Sequence, residues 1–322
     1  MIRPAAGEKI AGSGFSVIGL GQCSLDILGC VPCYPAIDSK VDLTDTLIQG
    51  GGPVATALVA LARLGEKTAF VGRVGGDDFG QRIRLGLQEE GVDCRYLLTD
   101  SGATSQFSFI AVDQRHGSRN IFCHRGSASP LGEEDFPAVS LRDSRILHLD
   151  GSHPGAAVAA ARWARQSGMV VVLDGGSWRP ELEPLLPYID HLVVSEAFVK
   201  ALCPGSSPQQ ALKLLMVYGA QAVTVTLGAK GSWTLPQTGI MFHQPAFDVT
   251  VVDTTGCGDV FHGGYIYGLL QCWPLDCIMR FAAACAAIKA TALGGRSAIP
   301  GLARVNRFLA DASSRQELQG PA

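Results

Sequence analysis

The sequence predicts an α/β fold in which helices cover both faces of a mostly parallel β-sheet. From about residue 145 onward, short apolar segments alternate with helical segments, which is typical of parallel strands buried on both faces. Asp and Gly residues follow several of these segments, and ligands of such sheets bind at the carboxyl ends of the strands. With 47% hydrophobic residues among 322, the chain can form one large core, so we expect a single domain over residues 1–322.

The first predicted strand, residues 15–20, ends in a Gly-Leu-Gly turn. Such a turn would suit the dinucleotide of an NAD-dependent oxidoreductase, but Ser24 stands where that fingerprint needs its third glycine, and no clear helix follows. Dinucleotide binding is therefore kept only as an alternative. Asp26 lies just beyond the turn, where it either contacts a ligand or simply belongs to the turn, and the residue alone favours neither.

Short strands and then a helix are predicted next. Alternating apolar patterns indicate short strands at residues 28–48, 105–112 and 120–124. Pro53 suits the first turn of a helix over residues 53–64. The three glycines before Pro53 expose backbone N–H groups to a hydroxyl or an anion near the start of that helix.

The carboxyl-terminal half supplies the elements of the parallel sheet. Strands are expected at residues 146–149, 169–173, 191–194 and 222–227, and helices at residues 155–166, 209–218, 258–271 and 277–293. The polar tail after Ala312 is expected to be frayed. Asp26, Asp150, Gly228 and the turn that begins at Asp253 all follow predicted strands, so we expect them to meet at one edge of the sheet.

The sequence Asp-Thr-Thr-Gly-Cys-Gly-Asp from Asp253 to Asp259 predicts a glycine-rich turn between a strand and a helix. Gly256 and Gly258, on either side of Cys257, have no Cβ to obstruct a ligand. The first N–H groups of a helix are unpaired and lie at the positive end of its dipole, so this turn predicts an anion site. Asp259 could cap the helix or act as a base, and the surrounding Asp, Thr and Gly residues favour the base.

The composition argues against several classes of function. A net charge of −3 without a long run of either sign disfavours nucleic-acid and membrane surfaces. No stretch reaches the roughly 18 apolar residues of a membrane span, and residues 1–15 lack the apolar core of a secretion signal. The ten cysteines are scattered, unlike a disulfide framework. A cytoplasmic protein is therefore expected.

The sequence from Asp253 to Asp259 resembles the carboxyl-terminal signature of the ribokinase-like, or PfkB, family of carbohydrate kinases. The resemblance implies a Rossmann-like central sheet and a small β-sheet lid from about residues 28–48 and 103–125. It also implies that Asp259 deprotonates a sugar hydroxyl, while the N–H groups of Gly256, Cys257 and Gly258 hold the transferred phosphoryl group. The family usually has Ala where this chain has Cys257.

The amino-terminal signature of the family resembles residues 49–57 and 70–80. The residues proposed for sugar binding are Asp26, Gly51, Gly52, Thr56, Arg125 and Asp150. Because the family commonly has the longer Asn at Thr56, the sugar need not be ribose. Arg125 either places a cation over the sugar, which would favour an anionic substrate, or lies on the surface. The resemblance also implies a homodimer formed through the lid.

An ATP site is implied along the same edge of the sheet. Its residues are Ser195, Thr226, Gly228, Gly231, Gly256 and Gly258, with the adenine near residues 284–295. Many family members have Asn-x-x-Glu starting at the position of Ser195, and this motif helps to order Mg²⁺. Here only Glu196 offers a carboxylate to the waters of Mg²⁺, and it does not stand at the Glu position of the motif. The resemblance also implies a monovalent cation, such as K⁺, at Asp253 and Thr255.

These features predict an ATP-dependent kinase that phosphorylates a hydroxyl of a sugar, with a ketose favoured. Residues 243–247, 252–263 and 294–296 resemble sulfofructose kinases, whereas residues 117–121 and the altered motif at Ser195 resemble ketohexokinases. Ribokinase and 2-keto-3-deoxygluconate kinase are the alternatives within the family. A non-catalytic sugar- or nucleotide-sensing protein would explain the altered Ser195 motif, but the intact base at Asp259 argues against it.

Overall fold

Two β-sheets organise the chain in the computed structural model, which describes residues 14–115 and 118–319. The larger sheet contains, from edge to edge, β13 (Phe242–Gln244), β12 (Ser232–Pro236), β11 (Ala222–Thr226), β10 (His191–Ser195), β9 (Val170–Gly175), β8 (Ile146–Leu149), β1 (Val17–Leu20), β4 (Thr68–Gly75) and β5 (Asp93–Asp100). The strands from β11 to β5 run parallel, and β12 and β13 form an antiparallel edge. The mostly parallel sheet is thus confirmed.

Helices cover both faces of this sheet. The α-helices are α1 (Pro53–Arg63), α2 (Asp78–Glu89), α3 (Ala138–Leu141), α4 (Pro154–Gln166), α5 (Glu196–Leu202), α6 (Pro208–Met216), α7 (Cys257–Leu270), α8 (Leu275–Lys289) and α9 (Leu302–Gln319). Short 3-10 helices lie at Glu133–Asp135, Pro180–Tyr188 and Gly228–Lys230. None of the helices described is long and apolar enough to cross a membrane.

The alternation of side chains along each strand produces two cores. Val17, Ile146 and Val172 point to the face covered by α1, α2, α7, α8 and α9. The next residues along the strands, such as Ile18 and Leu147, point to the opposite face, which α4, α5 and α6 cover. Because successive side chains of a strand point in opposite directions, a strand of apolar residues alone requires cover on both faces.

The smaller sheet contains, in spatial order, β3 (Asp45–Gly51), β2 (Ser24–Val31), β6 (Phe107–Asp113) and β7 (Ser118–His124). Its strands overlap the lid segments expected at residues 28–48 and 103–125. Leu28 and Ile110 on its inner face are buried against Leu293. Its outer face carries a row of paired apolar side chains, which consists of Ile48, Ile27, Phe109 and Phe122.

Three local expectations were wrong or lie outside the described residues. The tail after Ala312 continues α9 to Gln319, because buried Val305 and the ring of Phe308, which meets Phe247 edge to face, hold the helix to the core. The helix predicted to reach residue 293 ends at Lys289. Residues 1–13, which carry most of the argument against a secretion signal, are not among those described.

Candidate active site

The turn that begins at Asp253 is held by the carboxylate of Asp253, which is fully buried. Its Oδ1 accepts hydrogen bonds from the N–H of Thr255 at 2.8 Å and from the hydroxyl of Thr255 at 2.7 Å. Its Oδ2 accepts a hydrogen bond from the N–H of Gly294 at 2.8 Å. The strand expected before the turn is absent, since residues 245–256 form neither strand nor helix. One carboxylate therefore fixes the turn to the loop after α8.

Gly256 converts the turn into the start of α7. Its φ of 75° is left-handed, and a Cβ there would lie 2.7 Å from the backbone of Gly295. Only glycine is compatible with both conditions. No side chain caps α7, so N–H groups of its first turn face the cleft at the positive end of the helix dipole. The N–H of Cys257 differs, because it also donates to the carbonyl of Thr254 at 3.3 Å.

Asp259 lies in this first turn and is half-buried. It does not cap the helix, because the start of α7 has no side-chain cap. Burial, and then the negative charges of Asp174 and Asp26, raise the pKa of Asp259 to about 8, while Arg119 and Arg296 oppose that shift. A carboxylate with a pKa close to neutral pH suits proton transfer.

Asp174, at the carboxyl end of β9, is a site residue that the sequence analysis missed. Its Oδ2 lies 3.3 Å from Nδ1 of His262, and both side chains are buried. The same Nδ1 lies 2.8 Å from the carbonyl oxygen of Gly258, so His262 connects Asp174 to the first turn of α7. Burial raises the pKa of Asp174 and the nearby His262 lowers it. The Asp-Gly-Gly sequence after an apolar strand could have indicated this residue.

Asp26 and Gly51 meet at the root of the small sheet. The carboxylate of Asp26 accepts a hydrogen bond from the hydroxyl of Ser24 at 2.9 Å, and it lies where a Cβ of Gly51 would be. Burial raises the pKa of Asp26, and the Ser24 hydrogen bond and the charge of Arg296 oppose that rise. Glycine at position 51 thus leaves room for a buried carboxylate that faces the cleft.

Arg296 fills the space beside Thr56. Its guanidinium is buried, donates to the carbonyl of Gly51 at 3.0 Å and lies 3.4 Å from the hydroxyl of Thr56. Burial lowers the pKa of Arg296, and the charge of Asp26 opposes this. The short Thr56 is therefore matched by a long cation from the loop after α8, and that cation also binds the backbone of Gly51.

Asp150 bonds to backbone groups of two turns, and Gly52 adopts a backbone conformation that favours glycine. The carboxylate of Asp150 accepts hydrogen bonds from the N–H groups of Gln22 and Ser152, both at 2.8 Å. It therefore fixes the turn after β1, as well as lying at the predicted edge. Gly52 precedes the first residue of α1 with a φ of 94°.

The small sheet contributes a cation that the sequence analysis did not select. Arg119 on β7 donates to the hydroxyl of Thr254 at 2.5 Å, across the cleft between the two sheets. Its Nε is buried without a hydrogen-bond partner among the described residues, and its charge lowers the pKa of Asp259. Arg125, the residue selected from the sequence, is exposed. Arg119, six positions earlier in the chain, is thus an arginine of the small sheet that contacts the turn beginning at Asp253.

The residues expected around ATP lie at the carboxyl ends of β10 and β11. Ser195 caps α5, since its hydroxyl accepts from the N–H of Phe198 at 3.0 Å and donates to the carbonyl of Gly176 at 2.8 Å. The hydroxyl of Thr226 donates to the carbonyl of Val194 at 3.3 Å. Gly228 and Gly231 follow, both with positive φ, as part of a 3-10 turn. A Cβ at Gly228 would meet nothing within 4 Å, so the backbone is open there, whereas a Cβ at Gly231 would overlap the carbonyl oxygen of Gln244.

A metal ion would depend on ligands other than protein side chains. Within residues 14–115 and 118–319, no group of three or more His, Cys, Asp or Glu side chains is placed to hold one. Glu196 is half-exposed and pairs with Lys200 at 3.2 Å. Mg²⁺ usually takes only one or two carboxylates and otherwise binds phosphate oxygens and water, so the site is compatible with Mg²⁺ that arrives with a nucleotide.

Comparisons with known proteins agree over nearly the whole chain. A family model described as "pfkB family carbohydrate kinase" matches residues 21–301. Ribokinase of Haemophilus influenzae is 30% identical over 299 residues, which cover 90% of this chain and 97% of that protein. The 5-dehydro-2-deoxygluconokinase of Geobacillus kaustophilus is 29% identical over 290 residues, which cover 83% of this chain and 86% of that protein.

Solved structures show the same fold. The crystal structure of ribokinase from Thermotoga maritima superposes with a TM-score of 0.80 at 26% identity, covering 92% of this chain and 99% of that one. The larger sheet with helices on both faces and the separate small sheet are thus the ribokinase-like arrangement that the sequence analysis expected.

Replacing Asp174 by Asn tests the electrostatics of the site. Burial is the largest cause of the raised pKa of Asp259, and the negative charge of Asp174 is the second. The change removes that charge, so the pKa of Asp259 should fall from about 8 towards the value of an ordinary Asp. Carboxyl ¹³C NMR of Asp-labelled protein, titrated without nucleotide, measures it. The matched control is Glu181→Gln, which removes an exposed carboxylate outside the site. An unchanged pKa of Asp259 in Asp174→Asn would show that the two carboxylates do not interact.

Proposed function

Because the chain belongs to the pfkB family of carbohydrate kinases and is therefore an ATP-dependent sugar kinase, we propose that it phosphorylates a hydroxyl of a ketose, with Asp259 as the general base. The observation that carries the proposal is the state of Asp259. This carboxylate lies at the uncapped amino terminus of α7, and its pKa is raised to about 8. Asp259 does not cap α7, and a carboxylate whose pKa is raised towards neutral suits a general base.

The proposed reaction is an in-line transfer. Asp259 takes the proton of the sugar hydroxyl, the oxygen forms a bond to the γ-phosphorus of ATP, and the bond between the γ-phosphorus and the bridging oxygen breaks to release ADP. The N–H groups at Gly256, Cys257 and Gly258 face the oxygens of the phosphoryl group and stabilise their charge. The N–H of Cys257 would exchange its long bond to Thr254 for the phosphoryl oxygen.

On the sugar side, we propose that Asp26 accepts hydrogen bonds from sugar hydroxyls, with Gly51, Gly52, Thr56 and Asp150 around it. Two observations support this: the Asp26 carboxylate is held towards the cleft by Ser24, and its negative charge already reaches Asp259. The exposed position of Arg125 gives no support to an anionic substrate, so a neutral ketose is the first candidate.

On the nucleotide side, we propose that the phosphates and ribose of ATP pass over Gly228 and Gly231 towards α7, with Ser195 and Thr226 alongside. Mg²⁺ would be held by phosphate oxygens and water, with Glu196 as the nearest carboxylate of its loop, and would supply neutralisation of phosphate charge. The open space beside Gly228 supports this placement. Because ATP is the proposed phosphate donor, we propose a cytoplasmic enzyme.

A homodimer through the small sheet is also proposed. The outer-face row of Ile48, Phe109 and Phe122 is 52%, 37% and 59% exposed, and a contiguous exposed apolar face is typical of an interaction site. A twofold contact between two such sheets would cover it.

The activity is tested by ADP release with Mg²⁺ and ATP. The acceptors are fructose, 6-deoxy-6-sulfofructose, fructose phosphates, tagatose, ribose, 2-keto-3-deoxygluconate and adenosine. Turnover of a ketose is expected. Turnover of ribose, to which the name of the Haemophilus influenzae relative points, or of 2-keto-3-deoxygluconate would instead select one of the alternatives within the family. Nucleotide binding without turnover of any sugar would support the sensing protein.

Replacing Asp259 by Asn separates a base from a structural Asp. We expect kcat to fall by at least about 100-fold, the usual scale for a positioned base. Since the folded-state pKa of Asp259 lies above its unfolded value, ionisation costs the folded state stability as pH rises from about 4 to about 8. Asn should therefore not lower Tm, and any gain should be larger at pH 9 than at pH 5. A parallel loss of Tm and activity would instead mean a structural role.

Arg119 and Arg125 form a matched pair of lid cations. Arg119→Gln should lower kcat by about 10-fold or more, because it removes a charge-assisted contact next to the transferred group. Arg125→Gln should change kcat and KM less than about twofold, as expected of an exposed charge. Steady-state kinetics on the sugar accepted in the ADP-release assay measure both. The reverse ranking would move the functional cation back to Arg125.

The proposed dimer is tested with Phe122→Asp on the outer face of the small sheet. A carboxylate buried in this apolar contact would have no partner of opposite charge, so the variant should be monomeric by light scattering while the parent chain is dimeric. Leu214→Asp, an exposed apolar residue on α6, is the control and should not change the mass. A monomeric parent chain would contradict the dimer.

A further inference from the structure

Lys289, the last residue of α8, carries an ammonium group in the interior of the protein. The residue is 0% exposed. Its Nζ donates to the carbonyl oxygen of Asp253 at 2.7 Å and lies 3.4 Å from the carbonyl oxygen of Ala292. A lysine is almost never fully buried without such partners. The ammonium thus joins the end of α8 directly to the first residue of the catalytic turn.

The same place is where the family resemblance implies a monovalent cation, at Asp253 and Thr255. The oxygens expected to hold it are already bonded to the chain. Both carboxylate oxygens of Asp253 accept N–H or O–H groups from Thr255 and Gly294, and the Thr255 hydroxyl donates its proton to Asp253. The carbonyl of Asp253 accepts from Lys289. These residues do not fit K⁺, because their acceptors hold donors of the protein.

The surroundings of Lys289 suit a positive charge. The carbonyl of Ala292 belongs to the residues just after α8, where the helix dipole is negative. Burial lowers the pKa of Lys289, the nearby Cys257, Asp253 and Asp259 raise it, and Arg119 lowers it. A monovalent cation at these carbonyls would be attracted by the same negative charges. It would have to displace the ammonium of Lys289, which is covalently attached to the chain and cannot diffuse away.

We propose that the ammonium of Lys289 is a built-in monovalent cation that takes the place of K⁺ and makes the enzyme independent of it. Lys289 is then a positioning residue. It holds the carbonyl of Asp253. The N–H groups of Val252 and Asp253 also donate to the carbonyl of Ala290, at 2.8 and 3.2 Å. Together these bonds fix the backbone just before the turn that leads to Asp259.

The first test needs no variant and compares the natural chain in Na⁺, K⁺, NH₄⁺ and tetramethylammonium at equal ionic strength. Thermal unfolding and ADP release, the latter resting on the proposed kinase activity, should be the same in all four salts. A K⁺-specific rise in Tm, or K⁺-specific activation of more than about threefold, would overturn the proposal, because it would require a cation site that is still open. The Tm readout decides the matter even if the sugar substrate has not been found.

The second test removes the ammonium. Lys289→Ala leaves a cavity lined by the carbonyl oxygens of Asp253 and Ala292, so Tm should fall in Na⁺ or tetramethylammonium and recover in K⁺ or NH₄⁺. The rate of ADP release should fall by about 10-fold and recover by a similar factor with the same two ions. Lys289→Met retains most of the volume without the charge and should lose stability with no recovery in K⁺, because its stem occupies the cavity.

A control and a contradicting result complete the design. Lys213→Ala removes an exposed lysine of α6 and should respond to none of the four cations. If Lys289→Ala keeps its Tm and its rate in every salt, the ammonium does not hold the turn and the proposal is wrong. If Lys289→Ala does not fold in any salt, the comparison of Lys289→Met with the natural chain, and the salt series of the natural chain itself, still decide the matter.

Discussion

The hydrogen bonds to the carboxylate of Asp253 are the constraint on which the site depends. Two of them hold Thr255 in place within the turn before α7, and the third connects that turn to Gly294. Gly294 belongs to the same loop as Arg296, whose guanidinium reaches Gly51 and Thr56. The turn before α7, the loop after α8 and the root of the small sheet are therefore parts of one hydrogen-bonded assembly. A buried carboxylate whose two oxygens both accept hydrogen bonds is rigid as well as satisfied.

The charges of the site are arranged around Asp259. Burial and the negative charges of Asp174 and Asp26 raise the pKa of Asp259, while Arg119 and Arg296 limit that rise. The carboxylates come from the root of the small sheet, from β9 and from α7, and the cations come from β7 and from the loop after α8. Because the balance is set by five separate segments, the proton affinity of Asp259 is a property of the assembled fold and not of its own sequence motif.

Much of this architecture could be predicted from the sequence, since the strong signals are local. Apolar runs gave the strands, and the glycine-rich turn gave the start of α7 within one residue of the observed Cys257. The missed contacts join distant residues: Arg119 with Thr254, and Asp174 with His262. No periodicity encodes which partner a long side chain will meet. Lys289 was missed for a related reason, because a Lys at the end of an alanine-rich helix is expected to reach solvent.

The family resemblance agrees with the structure best where backbone geometry restricts the choice of residue: Gly256 lies in the turn before α7 and Asp259 in the first turn of that helix. It is less informative for side chains, because a cation at the edge of a small sheet can come from several positions of neighbouring strands. Arg125 was the candidate on sequence grounds, whereas the structure shows Arg119 in contact with the turn before α7. Ser195 remained at the carboxyl end of β10 as a helix cap, so the altered motif preserves the local structure whatever its effect on metal binding.

The buried bond between Lys289 and the carbonyl of Asp253 also has a consequence for biosynthesis. A diffusible ion can enter its site at any time after the site exists, whereas this charge arrives only when α8 docks against the preceding turn. The turn that begins at Asp253 consequently gains its full set of bonds late, after α8 has been synthesised. A nascent or truncated chain that stops before α8 contains Asp253 and Asp259 but lacks the ammonium that bonds to the carbonyl of Asp253.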